Sequence, residues 1–284
     1  MRTNKLVVLL ASAAVSVALL SPVLVRAQAA PAAQASTILD GKKWIGHEAE
    51  IEDYLRNVEI VSTSATGEGV THPQKCTLPP GGPSAFLAFK PIPPGPQNGA
   101  MESYKSEIAA YEIDKILQLH MVPPVVEKVY KKQKGAAVFW IMNTKNFNAF
   151  HTNGGAPTAP PDKTEYWNIQ LTRAKMFDSL IGNMDPNLGN WLVDDDWDLF
   201  IIDHSRSLFG DTTFVHEKTI NHIDSELWAK MQALTLEDLT AKLSMWMSKG
   251  DIKSIIQRRD LLGKKIADLV KKNGEANVFI KYPH

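Results

Sequence analysis

The stretch from residue 165 to residue 203 constrains this chain most. Trp167, Leu171, Ala174, Phe177 and Ile181 recur at three- and four-residue spacing, the buried face of a helix over about 165–181. The chain then enters a polar loop, Gly182-Asn183-Met184-Asp185-Pro186-Asn187-Leu188-Gly189-Asn190. Two short apolar strands follow, 191–193 and 198–202, joined by an acidic turn, and Asp203 ends the second, thirteen residues after Asn190. Helix, loop, hairpin and strand-end acid bring hard oxygen groups into one small region.

Those groups suit phosphoryl transfer, which needs little covalent help: one residue orients the attacking hydroxyl, and oxygen ligands hold magnesium against the phosphates. Asp185 would do the first, while Asn190 and Asp203 would do the second from the loop and the strand end. The D-x-x-x-x-N spacing alone is common, and the plain alternative is an Asn/Asp/Gly-rich turn with an incidental aspartate after a buried strand. The order of elements around the motif favours chemistry.

Upstream, residues 85–89 form an apolar run that stops at Lys90, because Pro91 cannot continue a strand ladder. A helix over 105–119 comes next, with Ile108, Ala109, Ile113, Ile116 and Leu117 on one face and Pro123 and Pro124 beyond its end. Glu107 lies near its start, seventeen residues after Lys90, and Glu112 more than one turn further on. A lysine ending a strand is ordinarily a solvated end, so this pair gains weight from the downstream motif.

The run Lys105-Ser106-Glu107-Ile108-Ala109-Ala110-Tyr111-Glu112-Ile113-Asp114, the two prolines after it, and residues 182–203 together resemble an atypical kinase group. That group includes HipA-like kinases, secretory-pathway casein-kinase-like enzymes and phosphoinositide kinases. The resemblance follows the order of elements over about residues 45–280, with only the two quoted stretches specific. It implies an α+β, two-lobed protein-kinase-like fold, with a β-rich N-lobe over 45–142 and a mostly helical C-lobe over 143–284. It further implies ATP with Mg²⁺ or Mn²⁺ as cofactor, Lys90 and Glu107 on the nucleotide, Asp185 as base or orienter, and Asn190 and Asp203 on the metal. The acceptor, whether protein, lipid headgroup or small molecule, is left open.

This chain departs from the group at several points. Pro186 stands where relatives commonly carry a basic residue after the catalytic Asp, and His204-Ser205 replaces the Phe-Gly of typical kinases. No full G-x-G-x-x-G loop is present; the turn Ala65-Thr66-Gly67-Glu68-Gly69 reads as an ordinary hairpin, with a phosphate-approaching turn as the alternative. Arg206 either supplies some of the missing charge or makes a salt bridge to a helix. A non-catalytic nucleotide- or ligand-binding protein of the same fold is therefore the rival reading, and transfer of AMP from a reversed nucleotide is a third.

Arg2 and Lys5 precede an apolar run over 6–20, and Ala27-Gln28-Ala29 completes an A-x-A pattern, so residues 1–29 read as a cleaved signal peptide and 30–44 as a disordered lead-in. The expected location is then periplasmic or secreted; an uncleaved anchor, and with it membrane attachment, is the alternative. The first 35 residues carry three basic and no acidic side chains, leaving the rest at about −3, without the basic excess of a nucleic-acid partner. Cys76 is the only cysteine, which rules out an intrachain disulfide and lacks any pattern implying a paired base. Asp194, Asp196 and Asp198 mimic the start of a calcium loop, but Leu199 and Ser205 stand where Gly and Glu are required. His216 and His222 lack zinc-ligand spacing and read as surface residues.

Overall fold

The computed structural model describes residues 39, 41–65, 73–97, 99–150 and 158–281. The expected signal segment, most of the lead-in and the glycine turn at 66–69 lie outside them. In chain order the elements are α1 (Glu48–Asn57), β1 (Ser62–Ala65), β2 (Gln74–Thr77), β3 (Phe86–Lys90), β4 (Gly95–Gln97), β5 (Ala100–Glu102), α2 (Tyr104–Leu117), β6 (Val125–Tyr130), β7 (Gln133–Phe139) and β8 (Lys145–Asn146). The second half comprises α3 (Thr164–Ile181), β9 (Trp191–Val193), β10 (Leu199–Ile201), β11 (Ile223–Asp224), α4 (Ser225–Ala233), α5 (Leu236–Leu243), α6 (Lys249–Asn273) and β12 (Phe279–Ile280).

Five antiparallel strands form a sheet in the order β1-β2-β3-β7-β6. Its two-residue alternation sorts the side chains between two faces. Leu87 and Phe89 of β3 and Ala137 and Phe139 of β7 join Ile51 and Leu55 of α1 in one core. Ala136 and Val138 face the other way and pack with Ile108, Ala109 and Ile113 of α2. Burying each large side chain here contributes about 1.5–3 kcal/mol. Lys128 of β6 closes the C-terminal end of α1, donating to the carbonyls of Leu55 (2.9 Å), Arg56 (3.1 Å) and Val58 (2.7 Å), where a cation meets the negative end of the helix.

The second half is built on α3, which packs against α6, with β8, β9 and β10 forming a small sheet beside it. Helix α6 buries Ile252, Ile255, Leu262, Ile266 and Leu269 along one stripe and begins with a capping box between Ser248 and Asp251. Arg258 belongs to the same stripe: its guanidinium donates to the carbonyls of Leu180 (2.8 Å) and Asp211 (2.6 Å), tying the end of α3 to the segment after the site.

Sequence periodicity locates α2, α3, β3, β9 and β10 to within a few residues. Elsewhere the structure differs. Trp44, expected at the end of a disordered lead-in, is 1% exposed and packs edge-on to Phe139 and tilted against Phe200 in the α1-side core. The first two strands, Ser62–Ala65 and Gln74–Thr77, are polar and pair antiparallel. Thr235 caps α5, its hydroxyl accepting from the Asp238 amide at 3.0 Å. The parallel pairing of β11 with β12 has no local signature. Among the described residues, no helix is long and apolar enough to cross a membrane.

Candidate active site

Lys90 occupies the last position of β3, opposite Ala136. Alternation sends it to the same face as Ala88, the face that α2 covers. Ser103 caps α2 by accepting from the Lys105 amide, which sets Glu107 in the first turn. There Lys90 Nζ donates to Glu107 Oε1 and, at 2.7 Å, to Asp203 Oδ1. Glu107 Oε2 accepts from the His204 amide at 3.0 Å, so one carboxylate anchors both the lysine and the chain after Asp203. Glu112, the less favoured partner, pairs with Lys115 at 3.0 Å instead.

The electrostatics follow from burial and pairing. The lysine side chain is 6% exposed, that of Glu107 2% and that of Asp203 25%. Burial pushes the Lys90 ammonium down, but the charges of Asp203 and Glu107 outweigh it and hold the group well above its ordinary value. Burial likewise raises the Asp203 carboxyl, and the adjacent Lys90 overrides this and holds it below the usual carboxylate range. Asp203 has φ 64°, a left-handed conformation that Asp enters more readily than most residues and that is common where a site constrains the backbone.

The polar loop is held at several points. Gly182 ends α3 at φ 62° and ψ 50°, and an added Cβ would come within 3.0 Å of the Arg258 guanidinium. Asn183, 3% exposed, donates through Nδ2 to Asp178 Oδ1 at 3.0 Å and accepts at Oδ1 from the Asp185 amide at 3.1 Å. The Asp185 carbonyl accepts from Asn187 at 2.7 Å, and the Asn187 side chain caps the short turn that carries Asn190. Ile202 then donates to the Asn190 carbonyl at 3.0 Å, bringing Asn190 beside Asp203.

A cleft of about 370 Å³ opens at this point. Ala88, Val138, Trp140, Leu192 and Ile202 supply apolar walls, while Lys90, Asn190 and Asp203 supply the polar end. An apolar slot with a few convergent polar groups is the general form of a small-molecule site. Lys90, Glu107, Asn190 and Asp203 thus come together. Asp185 is not among the cleft-lining residues and pairs with Arg206. For a metal, Asp203 and Asn190 offer one carboxylate and one amide oxygen. Among the described residues no group of three or more His, Cys, Asp or Glu could hold a metal ion, so this donor set fits a hard cation that takes its other ligands from phosphates and water.

Several participants have little signature in the sequence. Arg206, expected either to supply charge or to bridge to a helix, bridges to a strand end and not to a helix: it donates to Glu102 of β5 at 2.8 Å, and it also places its charge on Asp185 Oδ2 at 3.2 Å. Asp178 and Asn183 brace the loop from beneath, and their polarity on an otherwise buried helix end is the signal that could have found them. His216 is not a surface residue, since its side chain is 13% exposed and its Nε2 lies 3.5 Å from Asp178 Oδ2. The acidic turn of the false calcium loop is a hairpin closure, with Asp194 Oδ1 accepting from the amides of Asp196 and Asp198 at 3.0 and 2.8 Å. Cys76 is buried in the α1-side core, and burial pushes its thiol up to about 11, which removes it as a nucleophile.

No family model matches the sequence, and no curated protein does. Solved structures do. Hydra Fam20 with sugar aligns with a TM-score of 0.61 at 14% identity, over 83% of this chain and 93% of that one. The Golgi casein kinase aligns with a TM-score of 0.61 at 13% identity, over 83% and 79%, and its form with Mn/ADP bound gives 0.60 at 13% over the same shares. At such low identity the likeness is one of fold: the chain has the kinase-like α+β fold expected from its sequence.

Proposed function

We propose that this chain is a kinase-like phosphotransferase that moves the γ-phosphoryl group of ATP to a hydroxyl acceptor with Mg²⁺ or Mn²⁺. The observation that carries the reading is Lys90, held between Glu107 and Asp203 at the polar end of an apolar cleft that Asn190 also lines. A ring system suits the apolar walls, and the phosphates suit the lysine end. Glu107 keeps Lys90 extended so that its charge meets phosphate oxygens. Asn190 and Asp203 would hold the divalent cation, which when bound neutralises charge on the phosphates. Asp185 accepts the hydrogen bond of the attacking hydroxyl and takes its proton as the new P–O bond forms, while the bond to the β-phosphate oxygen breaks and ADP departs. The acceptor belongs to the class of alcohols, on a protein, a lipid headgroup or a small molecule.

The reading includes export. Cleavage after Ala29 leaves a mature chain from residue 30 that retains every group named above. A thermal-shift titration of residues 30–284 with ATP and Mn²⁺, beside Asp203→Ala, tests the site. A metal-dependent rise equivalent to about 2.7 kcal/mol is expected with ligand a hundredfold above its dissociation constant, and none in the variant. No rise in the wild-type protein overturns the reading. A rise without phosphoryl turnover would identify a non-catalytic nucleotide-binding protein.

A further inference from the structure

Asp185 stands on a loop rich in Gly and Asn, its side chain 39% exposed, and a carboxylate so placed has several rotamers open to it. Two contacts remove that freedom. Its amide is fixed by Asn183 Oδ1, and its Oδ2 accepts from Arg206 Nη1 at 3.2 Å. The guanidinium is itself immobilised: Nε and Nη2 both donate to Glu102 Oε1, at 2.8 and 2.7 Å. Glu102 is 1% exposed, and a buried carboxylate left without its cation is strongly destabilising, so Arg206 is kept in place by the fold. The backbone adds two more ties, since the Arg206 carbonyl accepts from Met184 at 3.3 Å and the Ser205 carbonyl from Ser103 at 2.9 Å.

From this geometry we infer that Arg206, anchored by Glu102, is the positioning residue for Asp185. The inference rests on the phosphotransferase reading and deepens it. With Oδ2 committed to the guanidinium, Oδ1 is the atom left for the acceptor hydroxyl. The bond to Glu102 holds the guanidinium in its charged form, so a permanent cation sits beside Asp185. Asp185 then holds the hydroxyl at Oδ1 and receives its proton there as the new P–O bond forms. Arg206 is not among the residues that line the nucleotide cleft, so its contribution falls on the rate and not on nucleotide affinity. A lysine would not replace it, because one ammonium cannot span Glu102 and Asp185 with the same planar fork.

The experiment measures Mn-ATP hydrolysis, with water as acceptor, and Mn-ADP affinity for the wild-type protein, Arg206→Met, Arg206→Lys and Glu102→Gln. Arg206→Met leaves Glu102 unpaired, so the double variant Arg206→Met/Glu102→Gln serves as the folded form if the single variant melts early. The expected result is a kcat lowered on the order of 10- to 100-fold in both forms lacking Arg206, with Kd and KM changed by no more than about twofold. Arg206→Lys and Glu102→Gln should fall between. An unchanged kcat overturns the inference, and so does a Kd that weakens as much as kcat falls, since Arg206 would then be serving the nucleotide. A wild-type protein that binds Mn-ADP without hydrolysing Mn-ATP overturns this inference together with the transfer reaction but keeps the nucleotide site; one that binds nothing overturns the functional reading itself.

Discussion

Replacing Lys90 by Met removes the cation that Glu107 and Asp203 share. At 2.7 Å and an effective dielectric constant of about 20, the attraction between Lys90 and Asp203 alone is about 6 kcal/mol gross, and desolvation of the three groups offsets most of it. The variant loses the attraction and keeps the desolvation, chiefly at Glu107, whose side chain is 2% exposed, whereas Asp203 is more accessible and can be hydrated. The expected loss in urea unfolding is about 3–5 kcal/mol at pH 7. Adding Glu107→Gln to Lys90→Met should recover about half of it, because an amide leaves no orphaned charge. The penalty should also shrink as pH falls toward 4, when protonation relieves the unpaired carboxylates. In the wild-type protein the signs run the other way. The depressed Asp203 group contributes stability that is present above its unfolded pKa and is lost as pH falls through its lower folded one. The raised Lys90 group contributes stability that is lost as pH rises through its higher folded one. A Lys90→Met protein within 0.5 kcal/mol of wild type, or a double variant no better than the single one, would refute a buried three-way pairing.

Two further perturbations probe the scaffold. Gly182→Ala imposes a left-handed conformation on a residue with a side chain and drives its Cβ into the Arg258 guanidinium. Thermal unfolding should show a loss of about 2–4 kcal/mol, and a loss below 1 would mean that Arg258 yields without cost. Asp114 lies buried at the end of α2 and accepts from the amides of His120, Met121 and Val122, yet burial dominates and pushes its carboxyl up to about 6. A raised carboxyl means that the folded state binds the proton more tightly, so this group's stability is full below about pH 4 and lost as pH rises to 6. Asp114→Asn should be less stable overall but flatter than wild type between pH 4 and 6.5 in paired denaturation curves; parallel curves would contradict the assignment.

How much of this was legible depends on the range of the forces involved. Periodicity exposed α2, α3 and β3 because the pattern of their buried residues is written in adjacent positions. The convergence of Lys90, Asn190 and Asp203 on one cleft was legible because Lys90 and Asp203 stand at or just after the end of an apolar strand and Asn190 directly precedes one, whereas Asp185 rested on its spacing to Asn190 alone. Glu107 was readable only through its helix position. The pairing of Arg206 with Glu102 and the role of Asp178 beneath the loop were not, since their partners lie many residues away in the sequence. Trp44 was missed for the converse reason: a single aromatic after an Ala- and Gln-rich stretch carries no period, although it fills a core built by α1 and two sheets. The β11–β12 pair, two residues in each strand, is a consequence of packing at the end of α6 and has no local cause.

The most direct test of the central claim is a crystal structure of residues 30–284 with Mn-ADP. The account predicts the base between Ala88 and Ile202, phosphate oxygens at Lys90, and manganese coordinated directly by Asp203 and Asn190, with anomalous signal at that position. Nucleotide seated elsewhere, or manganese away from Asp203 when the cleft is filled, would contradict it.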